Sequence, residues 1–165
     1  MRILGIDPGT AIMGWGVVDE HNGKLSLVAF GALTTPAGMP QSERLIILYN
    51  GLQELLRIHK PDGAALEELF FGKNVNTAIT VGQARGVALL ALAQAKVPMH
   101  EYKPSEVKQA VAGYGNADKK QMQEMVRLTL ELDKIPKPDD AADALAIAIC
   151  HGYTAPMLRR IADTG

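Results

Sequence analysis

The chain has 165 residues and a mass of 17.7 kDa, with 47% apolar and 21% charged residues, which is about one domain's worth and enough to close a core without staples. Its net charge of −1 and pI near 6.4 argue against a protein that coats nucleic acid. The single cysteine, Cys150, excludes a disulfide scaffold and a Cys-rich zinc site.

Three β segments come first: Arg2 to Asp7, Met13 to Asp19 and Lys24 to Thr34. Asp-Pro-Gly-Thr separates the first two, and Asn22-Gly23 is a strong hairpin signal between the others. Leu45, Leu48, Leu52, Leu55 and Leu56 recur at three-and-four spacing and predict a helix over 42–59 with one buried stripe. A short strand, Gly63 to Glu67, follows. The segment 75–95 is helical and apolar over a wider arc than one sheet face requires, and it holds Gly82 and Gly86. Val97 to Tyr102 is the fifth strand, with helices predicted over 104–112, 117–132 and 140–152. Tight turns make antiparallel neighbours and helical crossovers make parallel ones. The expected fold is therefore α/β: a mixed five-stranded sheet with helices on both faces, the ribonuclease H-like arrangement, in one domain over residues 1–165.

No apolar run reaches the roughly 18 residues of a spanning helix, and Asp7, Pro8 and Gly9 interrupt the N-terminus where a signal peptide would be apolar. A cytoplasmic protein without a membrane partner is expected. Charge is unevenly spread. Between Leu69 and Lys120, seven bases face three acids, so a basic face can lie beside an acidic pocket.

Four acids carry the chemistry. Asp7 ends the first strand and Glu67 the fourth, and these strands are expected to be parallel neighbours, so their carboxyl ends converge. Asp140 and Asp143, three apart on a helix, share a face and can point to the same place. A cluster of carboxylates is unfavourable unless cations fill it, and oxygen-only donors suit Mg²⁺ or Mn²⁺. Two such ions can ready a phosphodiester for attack by water. Each acid also has a plainer role: Asp7-Pro8-Gly9 is a good turn, and Asp140 with Asp143 fits an N-cap with an acidic N3 residue. Glu67 is harder to dismiss, because it closes the apolar run Ala64-Ala65-Leu66 in a central strand.

Gly5-Ile6-Asp7-Pro8-Gly9-Thr10, Ala65-Leu66-Glu67-Glu68-Leu69-Phe70-Phe71, Gly82-Gln83-Ala84-Arg85-Gly86, Val107-Lys108-Gln109-Ala110 and Asp140-Ala141-Ala142-Asp143-Ala144-Leu145-Ala146 resemble, in order and spacing, the RuvC-type Holliday junction resolvases of bacteria. The first turn alone also resembles sugar kinases and chaperone ATPases. The resemblance spans nearly the whole chain except the tail after Gly152. It implies a homodimeric Mg²⁺- or Mn²⁺-dependent endonuclease, with two ions per active site, that nicks a four-way DNA junction symmetrically in recombination and repair. It also implies cooperation with the branch-migration proteins RuvA and RuvB. The family's metal ligands fall on Asp7, Glu67, Asp140 and Asp143, of which Asp140 is the position where some members place histidine. Lysines near the scissile phosphate fall on Lys108 and Lys119, and a base-stacking aromatic falls on Phe70.

Further contacts are expected beside these. Lys119 and Lys120 open a helix whose first amides can hold a phosphate. Phe71 and Lys73 share the loop after Glu67 with Phe70, where an aromatic can stack on an unpaired base or pack under the next helix. Gly82 and Gly86 allow a partner helix to approach, as in a two-fold dimer, or seat their own helix on the sheet. The competing functions are a phosphotransferase, disfavoured because no second phosphate loop is found, and a non-catalytic junction-binding dimer.

Overall fold

Among the described residues, 1–69 and 74–165, five strands and five helices follow in the expected order in this computed structural model. They are β1 (Arg2–Asp7), β2 (Ile12–His21), β3 (Lys24–Thr34), α1 (Gln41–His59), β4 (Gly63–Glu67), α2 (Val75–Gln94), β5 (Met99–Tyr102), α3 (Pro104–Ala112), α4 (Lys119–Thr129) and α5 (Asp139–Asp163). The sheet order is β3-β2-β1-β4-β5. The two hairpin-linked pairs are antiparallel and the two crossover pairs parallel. Phe70, Phe71 and Lys73 lie outside the described residues.

Element ends differ from the expected ones for local reasons. β5 begins at Met99 because the Val97 N–H bonds the Leu92 carbonyl and closes α2 instead. α4 stops at Thr129 because Glu131 turns left-handed (φ 55°) and the Leu132 N–H bonds back to Arg127. α5 opens at Asp139 after Pro138 and continues past Gly152 to Asp163. Asp140 is therefore not an N-cap, and no side chain caps that helix; the plainer reading of Asp140 and Asp143 fails.

The period-two alternation of strands sends each strand's side chains to two cores. Leu4, Ile6, Ala64 and Leu66 meet α1 and α2 through Leu48, Leu52, Ala84 and Ala88. Ile3 and Ala65 point the other way, into a core with Val107, Val126, Leu145 and Ile149. Asp7 and Glu67 continue the Ile3 and Ala65 rows, so alternation alone aims both carboxylates at the α5 side. α5 lies unusually close to the sheet there: a Cβ at Gly5 would overlap the Ala144 carbonyl oxygen, and one at Gly14 that of Asp140.

Contrary to the expectation that no segment is long and apolar enough to span a membrane, α2 meets that test by length and composition. Its buried side packs on the sheet through Ala84, Ala88, Ala91 and Leu92, and its middle holds Arg85 in an ion pair with Glu101. The expected wide apolar arc is real. Val75, Ile79 and Leu90 stand exposed, and among the described residues nothing outside the helix's own backbone lies within 4 Å of a Cβ built at Gly86.

Deep in the α5 core, the His151 ring is 1% exposed and shares a hydrogen bond of 2.6 Å with the Tyr102 hydroxyl. Burial, with help from His100 and Arg159, pushes its pKa down from 6.5 to about 4. The unfolded chain thus takes up this proton first as pH falls. The contribution of this group to stability is intact above pH 6.5 and is lost as pH drops from 6.5 toward 4. Urea melts of wild type and His151→Phe over that range check this: the difference in stability between the two should shift in favour of the variant as pH falls.

Candidate active site

β1 and β4 pair in parallel register up to Ile6 and Leu66, so Asp7 and Glu67 stand side by side at the carboxyl ends of central strands. Just over one turn into α5, Asp143 faces them. Asp7, Glu67 and Asp143 line one cavity of about 310 Å³ with Lys108 of α3 and Lys119 of α4, and Val107, Met122, Val126 and Ile147 form its inner wall. Asp140 does not line that cavity, although its charge acts on both Asp7 and Asp143.

The electrostatics are those of a strained anionic cluster. Burial, then Asp143, Asp140 and Glu67, push the Asp7 carboxyl up from 3.8 to about 7, with Lys119 opposing. Glu67 is raised by burial and Asp143, against Lys108. Asp143 is raised by burial, with Lys119 pulling it down and Asp140 and Asp139 pushing it up. Each of two lysines therefore offsets part of the charge from across the cavity.

Among the described residues, no three acidic, imidazole or thiol groups are close enough to enclose one ion as they stand. The donor set nonetheless fits a hard divalent cation. All the candidate donors are carboxylate oxygens, and their mutual repulsion is the kind that a cation relieves.

The remaining candidates divide. Lys119 sits within 3.3 Å of Asp139, which also holds Lys137 at 3.0 Å. Lys120 lies in a separate pocket with Ala112, Tyr114 and Glu124 and does not line the cavity of Asp7, Glu67 and Asp143. The first turn of α4 is closed by a reciprocal pair, Gln121 N–H to Asp118 and Asp118 N–H to the Gln121 side chain, each at 2.8 Å. Among the described residues, a Cβ built at Gly82 would meet the Leu69 side chain at 3.7 Å.

Sequence reasoning passed over Arg85 as a structural participant. It is buried on α2 and donates from Nη1 to the Glu67 carbonyl at 3.0 Å. Its signal in the sequence is the one that marks Glu67: a charge in the middle of an apolar helix needs a partner.

The family model described as "Crossover junction endodeoxyribonuclease RuvC" matches residues 3–151. A crossover junction endodeoxyribonuclease RuvC of Chloroflexus aurantiacus is 75% identical over 160 residues, covering 97% of this chain and 98% of that one. The solved structure of Thermus thermophilus RuvC is 39% identical with a TM-score of 0.88, covering 95% of this chain and 96% of that one. T. thermophilus RuvC in complex with a Holliday junction substrate matches at 39% identity and a TM-score of 0.90, with the same coverage. The strand-end acids thus sit in a fold and a sequence shared from end to end with these nucleases, and the chain belongs to the RuvC family of crossover junction endodeoxyribonucleases.

Proposed function

We propose that this chain resolves Holliday junctions as a divalent-metal-dependent endonuclease, with Asp7, Glu67, Asp140 and Asp143 as its catalytic carboxylates and metal ligands, two Mg²⁺ or Mn²⁺ ions per site, and a homodimer as the acting form. One observation carries this reading: Asp7, Glu67 and Asp143, from three separate segments, line a single cavity that Lys108 and Lys119 also line. When bound, the cations supply an activated water and stabilise the leaving oxygen of the cleaved phosphodiester.

The chain's own residues do the rest. Asp7 and Glu67 stay fixed because they end strands in the middle of a paired sheet, so they hold their positions without reorganisation. Lys108 and Lys119 bring ammonium groups to the cavity from α3 and α4, where they can hold the phosphate backbone and offset its charge. Lys120, on the outer side of α4, contacts backbone further from the cut. Phe70, Phe71 and Lys73 follow Glu67 in sequence, and the stacking role for Phe70 rests on the family resemblance. RuvA and RuvB are the expected partners on the same ground. A DNA substrate and a buried, unpaired Cys150 suit the cytoplasm.

The dimer reading draws on α2. Val75, Ile79 and Leu90 form an exposed stripe through Gly82 and Gly86, and a second copy of the helix would cover it. Two-fold placement then sets two sites against a two-fold substrate, which gives paired nicks.

The test is cleavage of a four-way junction labelled on opposing strands, with Mg²⁺ or Mn²⁺. Paired nicks at symmetry-related positions are expected, with linear duplex left intact and a chelator stopping the reaction. Leu90→Arg, which places a charge in the stripe, should sediment as a monomer and uncouple the two nicks. Equal cutting of duplex and junction would defeat the proposal.

A further inference from the structure

We propose that Arg85 is a positioning residue through which α2, the helix offered to the partner protomer, sets where Glu67 stands relative to Asp7; this rests on the metal-nuclease reading above. The side chain leaves the middle of α2 and is almost fully buried, its guanidinium spanning the ends of two strands. Nη1 donates to the Glu67 carbonyl at 3.0 Å, and Nη2 pairs with the Glu101 carboxylate. Leu66 and Glu101 are register partners across β4 and β5, so a single planar group ties both strand ends to the helix. A buried cation is strongly unfavourable without such partners, and removing either leaves the other exposed to that cost.

The bond goes to the backbone of Glu67 and leaves its carboxylate free to face the cavity. Glu101 neutralises the guanidinium. What reaches Glu67 is therefore a fixed position and not a charge.

The same helix holds the other acid-bearing strand end by an independent contact. Thr10, which closes the Asp7-Pro8-Gly9-Thr10 turn, donates from Oγ1 to the Thr80 carbonyl of α2 at 3.0 Å. Gln41 Nε2 in turn reaches Thr10 Oγ1 at 3.2 Å and the Gln83 side chain at 3.0 Å. α2 thus carries one tie to the chain just after Asp7 and one to Glu67. Arg85 also lines, with Asp7, Pro8 and Glu67, a second cleft of about 220 Å³. A shift of α2 against the sheet would alter the gap between the two carboxylates, and docking of a partner on its outer stripe would steady that gap.

Arg85→Lys tests this, because it keeps the charge while losing the planar two-acceptor geometry. Mn²⁺ titrated calorimetrically into the DNA-free variant is expected to bind about tenfold more weakly, and kcat on a saturating junction to fall about 10- to 100-fold with KM unchanged. Glu101→Gln, on β5 and outside the cavity, loosens the guanidinium from the other side and should show the same defect to a lesser degree, about threefold. Sedimentation of both variants should remain dimeric. The proposal is overturned if both bind Mn²⁺ as wild type does, whatever their melting temperatures. It is equally overturned if the loss of cleavage comes with dissociation, which would make Arg85 an interface residue. Failure of the wild-type protein itself to bind Mn²⁺ or cut junctions would instead strike the metal-nuclease reading.

Discussion

Asp7→Asn is expected to bind a four-way junction normally and to cut it at least about 10³-fold more slowly, because a neutral amide holds a cation poorly and contributes no charge where the reaction develops it. The same change has a second consequence that separates charge from fold. The Asp7 carboxyl titrates at about 7, well above its ordinary 3.8. The folded, metal-free chain thus binds this proton more tightly than the unfolded one. The Asp7 contribution to stability therefore declines as pH rises from 3.8 to about 7 and is flat above that. An asparagine stays neutral throughout. At pH 8 without divalent cations, Asp7→Asn should therefore be more stable than wild type, by on the order of 2–4 kcal/mol. Thermal melts with and without Mg²⁺ read this directly: the ion should raise the wild-type midpoint and leave the variant's nearly unchanged. Undiminished cutting by Asp7→Asn would remove the residue from the active centre.

Gly14→Ala is the second substitution of large expected effect, although residue 14 bears no functional group. Gly14 is the β2 partner of Asp7 in the β1–β2 ladder. A Cβ there would overlap the carbonyl group of Asp140 and come within 2.9 Å of the Ala141 nitrogen. These are backbone atoms of the first turn of α5 and cannot swing aside as a side chain would. The helix must lift, taking Asp140 and Asp143 away from Asp7. Overpacking of this kind costs about 1–3 kcal/mol, and a displacement of about 1 Å at a catalytic group costs about 100-fold in rate. Gly115→Ala is the control, since among the described residues its Cβ would meet Ser105 atoms alone, at 3.7 Å, an ordinary contact. Wild-type cleavage and melting by Gly14→Ala would mean that α5 does not rest on this glycine.

Much of the fold was legible because its information is local and periodic. The leucine stripe of α1 buries Leu48, Leu52, Leu55 and Leu56 as the spacing predicts. Asn22 and Gly23 both adopt positive φ in the hairpin turn. β3 and α3 have their expected bounds. The wide apolar arc of α2 pointed to an uncovered face, and one is present. The ends of α4 and β5 were misjudged because each is decided by a single backbone hydrogen bond or turn, which leaves no periodic trace, whereas α5 runs on through Pro156 to Asp163.

The site was legible in outline. Asp7 and Glu67 announce themselves as acids closing apolar strands, and strand alternation decides which face they address. Asp143 and Asp140 looked equivalent at three-residue spacing, yet only Asp143 lines the cavity. Lys119 and Lys120, adjacent in sequence, look into different pockets because consecutive helical residues stand about 100° apart.

The order of strands and helices, the aim of each strand's side chains and the acidic character of two strand ends were determined by the sequence alone, since these depend on period, turn chemistry and burial cost within short segments. The approach of α5 over Gly5 and Gly14, the choice of Asp143 over Asp140 at the cavity and the grip of Arg85 on Glu67 were decided by the tertiary structure. Such contacts join residues from 18 to over 100 positions apart, and a missing Cβ or a buried charge signals that a partner exists without naming it.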